Sequence, residues 1–342
     1  MNSDEKYMRR ALELAVLGAG YVAPNPMVGA VVVHNDKIVG EGYHQKYGEA
    51  HAEVNAINAV KQPEILPECT IYVSLEPCAH FGKTPPCADL IIAENLKRVV
   101  IGCGDSFDQV DGKGIRRLRE AGIEVTTFVL EDEAIQLNRH FFTVQEKKRP
   151  FVLLKWAESR NGLIDSSSGK NDAITWISCP EVQPFVHKLR SEHSAILVGK
   201  NTVIKDNPSL SVRAVSGANP LRIILDSQCE LPDDRAVIKD GEPTVVLNLI
   251  KTETIKNVRY LKIDDMTPAA ILGALHEMKI QSVMIEGGRA TLQSFIEANL
   301  WDEAIQIIGQ HTIENGTNAP KFQGQLVGHQ NIFGDLINQF RP

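Results

Sequence analysis

No run of uncharged apolar residues approaches the roughly 20 needed to cross a bilayer, so nothing here reads as a membrane span. An excess of positive charge is missing as well. Lys and Arg number 36 against 43 Asp and Glu, a formal net charge of -7, whereas a general nucleic-acid binder carries a basic face. That balance still leaves room for a small phosphorylated substrate held by a few local Lys or Arg. Cysteine is sparse. Six in 342 residues make no disulfide scaffold, and reduced thiols fit a cytoplasmic compartment. The opening Met1-Asn2-Ser3-Asp4-Glu5-Lys6 lacks the basic-then-apolar order of a secretory signal. The G-x-G-x-x-G dinucleotide fingerprint is also absent. Gly102 and Gly104 follow an apolar run, but the third glycine and the tight helix start are not there, so this reads as a loop. Asp105 and Asp108 in that loop read as solvated residues or as a rim. What remains is ordinary: 43% hydrophobic and 23% charged residues support packed cores, and the length suggests two domains.

Against that background one stretch stands out. His51-Ala52-Glu53 is followed by Pro77-Cys78 and then Cys87, which together supply one imidazole, two thiols and a carboxylate. Catalytic zinc takes three protein ligands and leaves a fourth position to water, whereas structural zinc is closed by four. His51, Cys78 and Cys87 are the candidate ligands, and Glu53 is left as a general acid/base. The order resembles the H-x-E…P-C-x-x-C pattern of zinc deaminases. Here, however, eight residues, 79–86, separate the cysteines. His51 and Glu53 lie about 200° apart on an ideal helix, so both reach one ion only near the axis at a helix N-terminus. The alanine-rich segment 49–60 provides such a helix, and Cys87 opens a second apolar helical run. A helix N-terminus favours the thiolate that a metal needs. Pro85-Pro86 stiffens the approach to Cys87, and the intervening loop can offer His80, Lys83 and Thr84 to a substrate. Scattered structural thiols without metal, or a closed zinc site using Cys69 or His80, are the weaker readings.

In chain order, residues 3–18 read as a helix capped by Ser3 or Asp4, and 28–33 and 37–42 as a hairpin. The His51 helix, a strand at 70–75 and the Cys87 helix follow. Next come strand 99–103, helix 114–121, strand 124–130 and a closing helix at 131–142. Helices alternating with strands imply a three-layer α/β sandwich, with the metal site at strand-to-helix junctions. Residues 143–150 are polar, charged and ended by proline, a linker pattern. The expected domains are 1–146 and 147–342.

The second half has no further H-x-E or cysteine pair. Strands are expected at 151–157, 195–198, 221–226, 244–249 and 282–285, with 303–308 as a late edge strand. With helices at 180–192, 267–278 and 290–299, they imply an α/β domain with a mostly parallel sheet. Gly199-Lys200-Asn201-Thr202 and Glu286-Gly287-Gly288-Arg289 each follow a strand. Paired glycines opening a helix let backbone N–H groups approach a phosphate.

His51-Ala-Glu-Val-Asn-Ala with Glu76-Pro-Cys-Ala-His-Phe-Gly-Lys-Thr-Pro-Pro-Cys87 resembles the deaminase half of the bifunctional riboflavin-biosynthesis deaminase/reductases. The eight-residue spacer separates that family from ordinary cytidine and tRNA adenosine deaminases. Residues 23–30, with Asn25, are similar to the family too. So, in the second half, are Lys155-Trp156-Ala157, Asn161-Gly162, Trp176-Ile177-Ser178, Arg190, 206–213 and 285–288. The resemblance spans residues 3 to about 310, and no family motif follows Asn315. It implies a cytidine-deaminase-like α/β/α domain followed by a dihydrofolate-reductase-like α/β domain. It further implies bound Zn2+, NADPH as reductant and a small phosphorylated pyrimidine as substrate. No nucleic-acid or membrane partner follows from it, and a homo-oligomer is compatible with it. Asn25, His44, His80, Lys83, Ile174, Arg190, Leu210, Arg213 and Glu286 would lie near substrate. Ala157, Trp176, Thr202, Asp206, Ser227 and the run Gly288, Arg289, Ala290, Thr291, Leu292, Gln293 and Ser294 would lie near cofactor. Ile174 stands where many members carry a small polar residue. Asp206 or Lys155 would supply the proton for reduction, and Arg190 with Arg213 would clamp the substrate phosphate. The rival enzyme is a nucleoside or tRNA deaminase fused to an unrelated α/β domain. The non-enzymatic rival is a zinc-stabilised binding module.

Overall fold

The computed structural model describes residues 2–79, 85–105, 112–166 and 176–342. Five residues singled out above, His80, Lys83, Thr84, Asp108 and Ile174, lie outside the described residues. The chain divides into two compact units, Met1–Lys148 and Arg149–Pro342.

The first unit runs α1 (Ser3–Val16), β1 (Gly29–His34), β2 (Lys37–Tyr43), α2 (Ala52–Asn58), β3 (Thr70–Leu75), α3 (Cys87–Ala93) and β4 (Arg98–Cys103). It closes with α4 (Lys113–Glu120), β5 (Glu124–Thr126), α5 (Glu131–Leu137) and α6 (Arg139–Lys147). Its sheet has the order β2-β1-β3-β4-β5, with β1 antiparallel to both neighbours and the rest parallel. Side chains alternate across a strand, so each strand feeds two cores. Ala30, Val32, Ile71 and Val99 pack beneath α2, α3 and α4. Val31, Val33, Tyr72 and Val100 pack beneath α1, α5 and α6. The three-layer sandwich is therefore present.

Three local expectations change. Asn2, not Ser3 or Asp4, caps α1 by accepting the Asp4 N–H at 3.3 Å. Asp4 is instead drawn to Arg98, with contacts of 2.9 and 2.8 Å. The strand expected at 124–130 stops at Thr126. The expected linker is mostly α6, because Phe141, Phe142 and Thr143 are buried and carry the helix through to Lys147.

The second unit contains β6 (Phe151–Glu158), α7 (Gln183–Glu192), β7 (Ala195–Gly199), α8 (Lys200–Asp206), β8 (Leu221–Leu225) and α9 (Ala236–Lys239). β9 (Thr244–Asn248), β10 (Glu253–Ile255), β11 (Val258–Lys262), α10 (Pro268–Glu277), β12 (Ser282–Ile285) and α11 (Arg289–Glu297) follow. Then come β13 (Glu303–Ile308), β14 (Gln325–Ile332) and β15 (Asp335–Arg341). The ten-stranded sheet has the order β10-β11-β9-β8-β7-β12-β6-β13-β15-β14. From β11 through β13 every pairing is parallel, with β10 and the β14–β15 hairpin antiparallel at the two ends. β13 is thus interior, not an edge, since the hairpin after Asn315 pairs with it.

The placement of the helices makes a topological switch point between β7 and β12. Val203 of α8 packs with Ile196 and Val198 on one face of the sheet. Leu292 and Phe295 of α11 pack with Leu197 and Ile285 on the other. α8 and α11 follow the adjacent strands β7 and β12, so the chain leaves their carboxyl ends in opposite directions. Ligands bind at such divergence points in parallel sheets.

Candidate active sites

In the first unit, α2 lies directly on β2. A Cβ at Gly42 would stand 2.4 Å from Ala56 N and 2.7 Å from Ala52 O, so only glycine permits this approach. The contact sets the helix start, where His51 is the N-cap residue. Cys87 is the first residue of α3, and Cys78 lies in the loop after β3. His51 Nδ1 stands 3.6 Å from Cys78 Sγ and 3.3 Å from Cys87 Sγ. Tetrahedral zinc with ordinary Zn–N and Zn–S bonds separates such atoms by about 3.6 Å. The three ligand atoms lie within 4.8 Å of one another, so the donor set fits one zinc ion. Among the described residues no fourth ligand joins them, which sets aside closure by Cys69.

The thiols are not equivalent. The Cys87 thiol, His51 and the Cys87 N–H, the last at 3.3 Å, hold the Cys78 pKa below the ordinary thiol range. Cys87, as donor to that sulfur, is pushed up. The carboxyl of Glu53 is pushed up to about 7 by burial and by the neighbouring Cys78 thiolate. A carboxyl near 7 can both take and give a proton at neutral pH.

Beside them, His44 Nδ1 is 3.1 Å from Ala50 O and must donate to it, which makes Nε2 an acceptor. Asn25 donates its Nδ2–H to that nitrogen at 3.1 Å, leaving its Oδ1 to a ligand. Burial lowers the His44 pKa and keeps the ring neutral. Sequence reasoning missed Glu76. Its buried carboxylate accepts the Gly112 N–H at 3.1 Å and the Ile115 N–H at 3.2 Å. It thereby ties the start of α4 to the loop carrying Cys78. An acid immediately before a Pro-Cys ligand at a strand end was the available signal.

In the second unit, three charged residues assigned by resemblance form one network. Glu286 accepts from Lys155 Nζ at 2.9 Å and from Arg190 Nε and Nη2 at 3.0 and 2.6 Å. Burial pushes the Glu286 carboxyl up, but the charges of Lys155 and Arg190 outweigh it and lower the pKa to about 2. Arg190 also donates to Ser211 O at 3.2 Å, on the segment that carries Leu210 and Arg213. The side chains of Leu210 and Leu292 are buried in the hydrophobic cores, so only their backbone can face a ligand.

At or just past the carboxyl ends of β6, β7, β8 and β12 stand Ala157, Thr202 in α8, Ser227, and Gly288 as N-cap of α11. A Cβ at Gly199 would be 3.0 Å from Thr291 Oγ1, and one at Gly287 3.1 Å from Thr291 Cβ, so the two loops meet there. Glycines at the start of a nine-residue helix suit a dinucleotide phosphate. Ser294 Oγ donates to Thr291 O, and Gln293 accepts the Lys321 N–H, so both side chains are engaged within the protein. Trp176 is 61% exposed. Asp206 ends α8 half-buried, and burial raises its pKa. It is not the helix cap. Asn207 occupies the left-handed position, and its Oδ1 accepts the Ala236 N–H.

Residues 150–325 match the RibD C-terminal domain family, and residues 1–103 match the cytidine and deoxycytidylate deaminase zinc-binding region. The riboflavin biosynthesis protein RibD of Aquifex aeolicus is 43% identical over 329 residues, 94% of this chain and 88% of that protein. The chain belongs to the RibD family. RibD of Escherichia coli is 35% identical, across 95% of this chain and 96% of that protein. A Thermotoga maritima diaminohydroxyphosphoribosylaminopyrimidine deaminase/5-amino-6-(5-phosphoribosylamino)uracil reductase superposes with a TM-score of 0.90. It is 37% identical, and 99% of each chain is covered. Like other RibD proteins, the chain is a bifunctional enzyme of riboflavin biosynthesis, with a zinc-dependent deaminase domain and an NADPH-dependent reductase domain. The second domain is therefore not unrelated to the first domain's pathway, and the fused nucleoside or tRNA deaminase reading falls. Among the described residues no helix is long and apolar enough to cross a membrane.

The Glu286 network generates a pH prediction. A carboxylate with a lowered folded pKa stabilises the fold above its unfolded pKa of about 4.5, and that stability is lost as pH falls toward 2. For a shift of this size the contribution is on the order of 3 kcal/mol. Unfolding of the second unit followed from pH 6 to pH 3 should show Glu286→Gln destabilised at pH 6, with a flatter decline on acidification. Parallel curves for the two proteins would remove the network as a source of stability.

Proposed function

We propose that the first unit deaminates 2,5-diamino-6-ribosylamino-4(3H)-pyrimidinone 5′-phosphate. The second unit then reduces the ribosyl group of the product to ribityl. The observation that carries this reading is the meeting of His51, Cys78 and Cys87 around one point, with the buried Glu53 beside them. When bound, zinc makes hydroxide available near neutral pH, and NADPH supplies a hydride.

The protein's residues do the rest. His51, Cys78 and Cys87 hold the metal. Glu53 takes a proton from the attacking water and returns it to the departing amine. Asn25, its amide oriented by His44, presents Oδ1 to a pyrimidine N–H. In the second unit Lys155, Arg190 and Arg213 outnumber Glu286, an excess of positive charge that suits a phosphate monoester. Of the two candidate proton sources, Lys155 is committed to Glu286 by an ion pair of 2.9 Å. Asp206, its pKa raised by burial, is the better donor. The six free thiols support a cytoplasmic location.

Glu53→Gln keeps the shape but carries no proton. Ammonia release should fall by roughly 10²–10⁴-fold with zinc content unchanged, and reduction of pre-deaminated substrate should continue at its normal rate. An active deaminase in this variant contradicts the role. Asp206→Asn tests the other half. NADPH oxidation with pre-deaminated substrate should drop by orders of magnitude while ammonia release and melting temperature hold. Full-rate reduction would move the proton source to Lys155 or to water.

A further inference from the structure

His187 lies on α7 one turn before Arg190, is 3% exposed, and belongs to none of the assignments above. Its Nδ1 accepts two backbone N–H groups, from Arg213 at 2.8 Å and from Ala214 at 3.0 Å. Only an unprotonated nitrogen can do this. The segment 209–214 is tied down at several points. Arg222 donates to Ser209 O at 3.2 Å, Arg190 to Ser211 O at 3.2 Å, and Asn219 accepts the Val212 N–H at 2.8 Å. These fix residues 209–212. Among the described residues, His187 accepts the backbone N–H groups at 213 and 214, while the exposed guanidinium of Arg213 donates to Ser209 Oγ at 3.2 Å.

We infer that His187 is a positioning residue of the reductase site, pinning the backbone of Arg213 so that its guanidinium is presented to the substrate phosphate. This rests on the phosphate-binding reading of Arg213 given above. The charged groups around the ring are Arg190, Arg213, Glu286 and Lys155. Burial, with the charges of Arg190 and Arg213, lowers the imidazole pKa and keeps the acceptor free. His187 contacts neither phosphate nor nicotinamide in this reading. It acts through the backbone of another residue, so its loss should weaken phosphate recognition and leave the chemical step alone.

The geometry sets the test. An Asn side chain places Oδ1 where the histidine places Nδ1, whereas Gln reaches the position of Nε2. With pre-deaminated substrate, His187→Ala and His187→Gln should raise KM for the pyrimidine phosphate by about tenfold. The kcat and the KM for NADPH should stay near normal, and His187→Asn should restore most of the loss. With the dephosphorylated substrate, all three variants should match the parent. Arg213→Ala is the control. If it raises KM and His187→Ala does not, the inference about His187 is overturned while the phosphate reading stands. If Arg213→Ala leaves KM unchanged, the phosphate reading fails and takes the inference with it. Equal behaviour of the Asn and Gln variants, or a parallel loss with phosphorylated and dephosphorylated substrates, marks a merely structural histidine and also overturns it. Should His187→Ala not fold, the Asn–Gln comparison carries the decision.

Discussion

Three ligand atoms can meet one metal ion only if two helices begin at the same place. The first unit satisfies that constraint by close packing. α2 presses against the glycines of β2 until His51 sits at its cap, and α3 begins with Cys87. At the start of α3 the Cys87 N–H donates to Cys78 Sγ at 3.3 Å, which favours the thiolate there. The same burial that brings these groups together removes water from Glu53 and raises its pKa into the working range. Ligand geometry and general acid–base strength therefore have one origin. A side chain at Gly42 would disturb both.

In the second unit the corresponding constraint is electrostatic. Glu286 could not stay ionised at full burial without Lys155 and Arg190. The network leaves more cation than anion at the mouth of the parallel sheet. The switch point itself comes from topology, because α8 and α11 leave adjacent strands toward opposite faces. In the proposed reading a phosphate-rich cofactor and a phosphorylated substrate would meet there for different reasons. Helix dipoles and glycine backbone suit the first, and guanidinium groups suit the second.

Much of this was legible in the sequence where chemistry and local spacing coincide. His51, Cys78 and Cys87 needed only the zinc rule and a helix start near each. The parallel strands of the second unit announced themselves as apolar runs. Other features depend on partners far away in the chain. Glu76 is an unremarked acid until the N–H groups of Gly112 and Ile115 close over it. The role of His187 depends on a segment 26 residues later. The β14–β15 hairpin escaped notice because β14 is exposed along most of its length and so lacks the alternation that marks a strand. Residues 143–147 read as a linker because their charges were weighed without the buried faces of Phe141 and Phe142. In the same way, Leu210 and Leu292 carry family positions on side chains that packing claims for the core.

Two chemistries on one chain, the second acting on the product of the first, is the central claim. It is tested most directly by incubating the purified, zinc-loaded protein with the diaminopyrimidine ribosyl phosphate, with and without NADPH. Ammonia and NADPH absorbance are followed separately. The account expects ammonia in both reactions. NADPH should be oxidised after a lag, reaching one equivalent for each ammonia released. NADPH consumed without ammonia, or ammonia never followed by NADPH oxidation, would contradict it.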